Sequence, residues 1–262
     1  MLKKYLALGK VSWGLMTEYR AQILIWMLAS LLMIIMMIVW LGISAQGAVN
    51  GFSSGDFISY FMIGWLVRTI TAVWASWELD YQVRQGTLSS LLLRPIHPIH
   101  NEIAANLSEK ILRLFIVLPI MAAVLLLTPA TALRLDGLSI LAFLVALAGA
   151  WLLVFLSDYL VGMLSFWTSQ TSAFIHMLYG LRLVLSGIIA PLAMFPDSVQ
   201  AALRWSPFPY MLNFPTNILT KGLAPGDLMF GFAAQFFWIG ILLVVMRLVW
   251  RRAMRSYSAV GA

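Results

Sequence analysis

A chain of 262 residues that is 62% hydrophobic and only 10% charged is not an ordinary water-soluble domain, since a soluble chain of this size carries roughly 25% charged residues on its surface. The absence of cysteine excludes disulfides, thiolate metal sites and iron–sulfur clusters, and three histidines leave little material for a metal centre. The formal net charge of +7, from 17 Lys and Arg against 10 Asp and Glu, reads in so apolar a chain as basic cytosolic loops rather than as a nucleic-acid surface.

Residues 1–20 read as an interfacial helix and not as a cleavable signal. Leu2, Tyr5, Leu6, Trp13 and Met16 share one face, Lys3, Lys4 and Lys10 lie away from it, and the first long apolar run starts only near Ala21. A spanning helix takes about 20 apolar residues. Segments of that kind fall near 21–43, 57–77, 111–130, 138–167, 171–192 and 228–250. The expected fold is all-α: one polytopic transmembrane domain over 1–262 with six membrane helices.

The connections follow from turn chemistry. Gly47, Asn50, Gly51 and Gly55 mark a short loop after the first span, and Pro129 ends the third. Between the second and third spans, Glu78 to Lys110 reads as a polar cytosolic stretch. The run Thr168-Ser169-Gln170-Thr171-Ser172 divides a region too long for one helix into two. Pro196, Pro207, Pro209, Pro215 and Pro225 interrupt the segment before the last span. Its apolar pieces are expected at the interface or part-way into the bilayer.

With the N-terminus inside, the inner segments hold Lys3, Lys4, Lys10, Arg20, Arg84, Arg94, Lys110, Arg113, Arg247, Arg251, Arg252 and Arg255. The outer loops hold Arg134, Arg204 and Lys221. That asymmetry places both termini in the cytosol.

No cluster reads as an enzyme site, and the chain has no P-loop. His97 and His100 lack a third ligand at helical spacing, and Pro98 interrupts the helix they would need, so they read as solvated loop histidines. His176 reads as a packing residue within a span. Three charges fall inside spans, Arg68, Asp158 and Arg182, and each is costly there. They line a polar pathway or fix helix packing. Asp158 and Arg182 each lie twelve residues from Gln170, so a helical hairpin turning there sets them at equal depth, where they are expected to pair. Exchanging the two charges is then expected to restore the yield that either single change loses. Spacing names no partner for Arg68.

The cytosolic loop Gly86-Thr87-Leu88-Ser89-Ser90-Leu91-Leu92-Leu93-Arg94-Pro95 is the most distinctive feature. Leu88, Leu91 and Leu92 fall on one face of a helix of about two turns, with Thr87 as N-cap and Pro95 as stop. Such apolar residues on a cytosolic loop need cover, from lipid headgroups or from a partner's groove.

Taken together, the N-terminal helix, six spans, the loop Glu78…Gly86-Thr87-Leu88…Leu92-Leu93-Arg94-Pro95 and the outer stretch Leu203-Arg204-Trp205-Ser206-Pro207-Phe208-Pro209-Tyr210 resemble a permease subunit of the ABC type-2 exporter class. That family is associated with drug, lipid and polysaccharide export. The segment Leu91-Leu92-Leu93-Arg94-Pro95-Ile96-His97-Pro98 is similar to a bacterial branch of it. The resemblance implies a multi-pass subunit of the bacterial inner membrane that pairs with a second permease subunit, as homodimer or heterodimer. It further implies that a separate ABC ATP-binding subunit hydrolyses ATP, with no cofactor on this chain. On that resemblance Gly86, Thr87, Leu88, Leu91, Leu92, Arg94 and Pro95 belong to the ATPase-coupling helix. Pro207, Phe208 and Pro209 would sit among short re-entrant outer helices. An importer permease is echoed only faintly, by Glu102, Ala104, Ala105 and Pro119. An ATPase-independent secondary transporter or channel, and a non-transporting assembly factor, stand as alternatives from other classes.

Overall fold

The computed structural model describes residues 31–128 and 133–257. Within them the regular elements are helices: α1 (Leu32–Ser44), α2 (Ser54–Thr71), α3 (Ala75–Arg84), α4 (Leu88–Leu92), α5 (Ile99–Leu127), α6 (Gly137–Gly162), α7 (Thr171–Leu185), α8 (Asp197–Leu203), α9 (Asn213–Leu219) and α10 (Pro225–Ser256). Single 3-10 turns occupy Met163–Phe166, Leu192–Met194 and Phe208–Met211. The expected interfacial helix over 1–20, and the first part of the first span, lie outside the described residues.

Four helical stretches among the described residues are long and apolar enough to cross a membrane: Ser54–Arg84, Ile99–Leu127, Gly137–Phe166 and Pro225–Arg255. The apolar helices Leu32–Ser44 and Thr171–Leu185 are shorter. Phe115, Leu126, Leu141 and Val244 are each more than half exposed, an exterior suited to lipid rather than water.

The central helix is α6, against which α2, α3, α7, α9 and α10 all pack. Asp136 caps its first turn by accepting a hydrogen bond from Ser139 N at 3.0 Å. Near its other end Gly162 permits close approach of α3: a Cβ there would lie 2.8 Å from Ser76 Cα. The main core joins Phe57, Tyr60 and Trp65 of α2 with Ala146 and Leu153 of α6 and with Tyr210 and Phe214 of the proline-rich segment. Gln235 of α10, fully buried, donates to Ala146 O at 2.9 Å and to Tyr210 O at 3.1 Å. One amide therefore ties the last helix to both.

Several helix bounds differ from those expected. The second span, expected unbroken over 57–77, is helical over Ser54–Thr71, opens at 72–74 and resumes as Ala75–Arg84. The third helix begins at Ile99, twelve residues before 111, and runs through Pro119. Part of the expected polar loop is thus helical and inward-facing, with Glu102, Asn106, Glu109 and Lys110 buried. Each has a partner: Glu102 accepts from Gln82, Glu109 pairs with Arg113, and Asn106 and Lys110 donate to the broken helix at Ala72 O. The fifth apolar helix stops at Leu185, short of 192, and Gly187 turns the chain with φ +96°. The last helix extends to Ser256.

Candidate functional site

The break at 72–74 organises the polar interior. The freed carbonyl of Ala72 accepts from Asn106 Nδ2 at 3.1 Å and from Lys110 Nζ. On the other side of the break, Asp158 of α6 caps the restarted helix: its Oδ2 accepts from Ser76 N at 3.0 Å and Ser76 Oγ at 2.9 Å. Groups from α5 and α6 therefore take up backbone polar atoms on both sides of the interruption, Ala72 O and Ser76 N, as breaking a helix away from water requires.

Beside the break lies a cavity of about 290 Å³. Its charged lining comes from four helices: Arg68 of α2, Arg113 of α5, Asp158 of α6 and Arg182 of α7. The structure thus brings together the three intramembrane charges singled out in the sequence. Arg182 Nη2 lies 3.2 Å from Asp158 Oδ1, and also donates to Ser157 Oγ at 3.1 Å. Asp158 divides its two oxygens between the arginine and the helix cap. Arg68 donates from Nη2 to Tyr179 Oη at 2.8 Å, and no carboxylate among the described residues pairs with it. Trp74, Trp77 and Tyr179 supply aromatic surface. His176 accompanies them, its Nδ1 2.8 Å from Ser172 O and its ring 5.3 Å from that of Trp77.

Arg113 is the cavity residue that sequence reading misplaced, as a cytosolic charge. It is 3% exposed and ion-paired with Glu109. The available signal was periodicity: Asn106, Lys110 and Arg113 follow i, i+4, i+7, one face of a helix.

The leucine-rich loop lies next to a second apolar cluster of Leu79, Val83, Leu88, Phe155 and Tyr159. Gly86, at φ +71°, makes the sharp turn out of α3 that a side chain would strain. The helix that follows has five residues, Leu88–Leu92, rather than two full turns, and Thr87 forms no side-chain cap. Its expected apolar face points inward for two of three leucines: Leu88 is 0% exposed and Leu91 packs on the same cluster. Leu92 is 36% exposed and Leu93 is 89% exposed, followed by exposed Arg94 and Pro95. Ser89 Oγ sits 2.9 Å from Tyr257 Oη, joining this loop to the end of α10.

His97 is not freely solvated. Its Nδ1 accepts from Ile99 N at 3.2 Å and its ring lies 4.4 Å from that of Trp250. Partial burial, and secondarily His100, hold its pKa below the ordinary 6.5. The unfolded chain therefore takes up this proton first, so the stability it supports is present above about pH 6.5 and is lost as pH falls below that value. His97→Phe, which keeps the ring contact, is expected to weaken this loss. Thermal unfolding of both proteins in detergent between about pH 8 and pH 5 checks it; parallel curves would remove His97 as the source. Among the described residues no group of three or more His, Cys, Asp or Glu is placed to hold a metal ion.

At the other end, Phe208–Met211 and α9 are packed inward, with Pro209 buried and Pro207 and Phe208 half-buried. Lys221 Nζ there lies 3.2 Å from Asp56 Oδ1 and donates to Gly51 O at 3.1 Å.

An all-helical protein with lipid-compatible faces and a broken span beside a charged cavity has the build of a membrane transporter. A family model described as ABC-2 family transporter protein matches residues 20–261, and the chain belongs to that family. It is a multi-pass transport permease, of a family whose membrane proteins generally work with ATP-binding subunits. No curated protein and no solved structure matches the chain significantly.

Proposed function

We propose that this chain is the transmembrane subunit of an ATP-driven exporter in the bacterial inner membrane, paired with a second permease subunit and moving a hydrophobic or amphipathic cargo outward. A separate ABC ATP-binding subunit docks on the loop Gly86 to Pro95. The chain crosses six times, counting α1 and α7, with both termini cytosolic. Arg84, Arg94, Arg251, Arg252 and Arg255 then belong to the inner side, while Arg134, Arg204 and Lys221 lie outside together with the re-entrant segment around Pro207, Phe208 and Pro209.

The observation that carries the coupling assignment is Leu93. It is 89% exposed at the end of a short helix that Leu88 seats in the chain's own core. An apolar anchor on a firmly held mount is what a docking element requires, because little is then lost in ordering it on contact. Leu93→Glu is expected to leave expression and membrane insertion unchanged, to cut recovery of the ATPase in a pull-down at least tenfold, and to abolish transport-linked ATP hydrolysis. Unchanged ATPase recovery with unchanged transport would remove this loop from the coupling role.

A further inference from the structure

Eight buried side-chain nitrogen and oxygen atoms among the described residues have no hydrogen-bond partner, and three of them are guanidinium nitrogens: Arg68 Nη1, Arg113 Nε and Arg182 Nε. All three arginines line the one cavity beside the helix break. A guanidinium nitrogen can only donate, and among the described residues none of these three meets an acceptor; the guanidinium groups they belong to border the cavity from three helices. The charge balance has the same sign. Asp158 offsets Arg182 and Glu109 offsets Arg113, which among the described residues leaves the charge of Arg68 without a paired carboxylate. Guanidinium groups are suited to phosphate oxygens, which accept from their fork of N–H groups.

The depth and surroundings of the cavity narrow the class of ligand. Starting from the outer loop, the 18 residues of α2 rise about 27 Å, close to the roughly 30 Å thickness of a hydrocarbon core. The break at 72–74 therefore falls near the inner boundary of the bilayer. Trp74, Trp77 and Tyr81, which are 40%, 38% and 56% exposed, form the aromatic surface expected at that level. A volume of about 290 Å³ holds a headgroup but not a pair of acyl chains, so an occupant's tails must remain in the bilayer.

We infer that this cavity binds the phosphate-bearing head of an anionic amphiphile taken from the inner leaflet, with Arg68 as its principal charge contact. The inference deepens the transport reading by naming the chemistry of what the permease holds, and it rests on that reading only for the orientation of the cavity toward the inner leaflet. Binding needs neither nucleotide nor the ATPase, so failure of the coupling assignment leaves it standing, and the reverse also holds.

The test is native mass spectrometry of the full-length permease in detergent, titrated with phosphatidylglycerol or phosphatidylcholine, with and without millimolar inorganic phosphate. Wild-type protein is expected to bind one phosphatidylglycerol per chain at least tenfold more tightly than phosphatidylcholine, and inorganic phosphate is expected not to displace it. Arg68→Gln should lower phosphatidylglycerol affinity at least tenfold. Arg204→Gln, an exposed arginine outside the cavity, should leave it unchanged. Trp77→Glu sets a carboxylate at the exposed rim and should produce the same loss as Arg68→Gln, which keeps the test open if the latter does not fold. Equal affinity for the two lipids, or a folded Arg68→Gln that binds as wild type does, overturns the inference. Displacement by inorganic phosphate overturns it too, by making the cavity a site for small free anions.

Discussion

Asp158→Asn and Arg182→Gln are each expected to destabilise the permease by about 3–5 kcal/mol, the cost of leaving one member of a buried ion pair alone. The two side chains are 8% and 12% exposed and meet at 3.2 Å. More than the pair is at stake, since Asp158 also caps α3 through Ser76 N and Ser76 Oγ. The double change Asp158→Asn with Arg182→Gln leaves no isolated charge, and the asparagine oxygen can still accept from Ser76, so it is expected to recover at least half of the loss. Exchanging the charges, expected from spacing alone to restore yield, is not expected to do so once the cap is seen. A guanidinium at 158 would face the first turn of α3, where unpaired N–H groups and the helix dipole already present positive potential. Denaturant unfolding in micelles compares the four proteins. A doubly neutral variant as unstable as the worse single change would show that unpaired charge is not the source of the loss, and full rescue by the exchange would discount the cap.

Leu88→Glu is expected to prevent folding, in contrast to Leu93→Glu five residues along the same loop. Leu88 is 0% exposed among Leu79, Val83, Phe155 and Tyr159. Replacing it forfeits about 1.5–3 kcal/mol of apolar burial and buries a carboxylate without a partner, which costs several kcal/mol more. The expected result is a several-fold drop in folded yield by size-exclusion chromatography, whether or not the ATPase is co-expressed. A well-folded Leu88→Glu permease that merely releases its ATPase would mean that Leu88 points outward to the partner.

These two cases show what local pattern could and could not convey. Spacing around Gln170 was sufficient to bring Asp158 toward Arg182, because a helical hairpin is a local object whose geometry follows from residue count. Spacing also identified one face of the Leu88 helix. It could not say whether that face meets the chain's own core or a partner, since both would select the same leucines. Lys110, at the end of the polar stretch, and Arg113, at the start of the third span, were both counted with the inner basic residues. They are buried because Glu109 and the Ala72 carbonyl receive them, and the second of these partners is distant in sequence.

By itself, the sequence determined the solvent and the plan: 62% hydrophobic residues with 10% charged require lipid around the chain, apolar runs set most of the helices, and glycine, proline and polar runs mark the connections. The tertiary structure alone decided that the second span breaks at 72–74 and that a cavity with three arginines opens beside the break. The reason is that a helix interrupts itself away from water only where other groups take up its freed hydrogen bonds. Here Asn106, Lys110 and Asp158 do so from 34, 38 and 82 residues along the chain from their partners, a separation that no periodicity records.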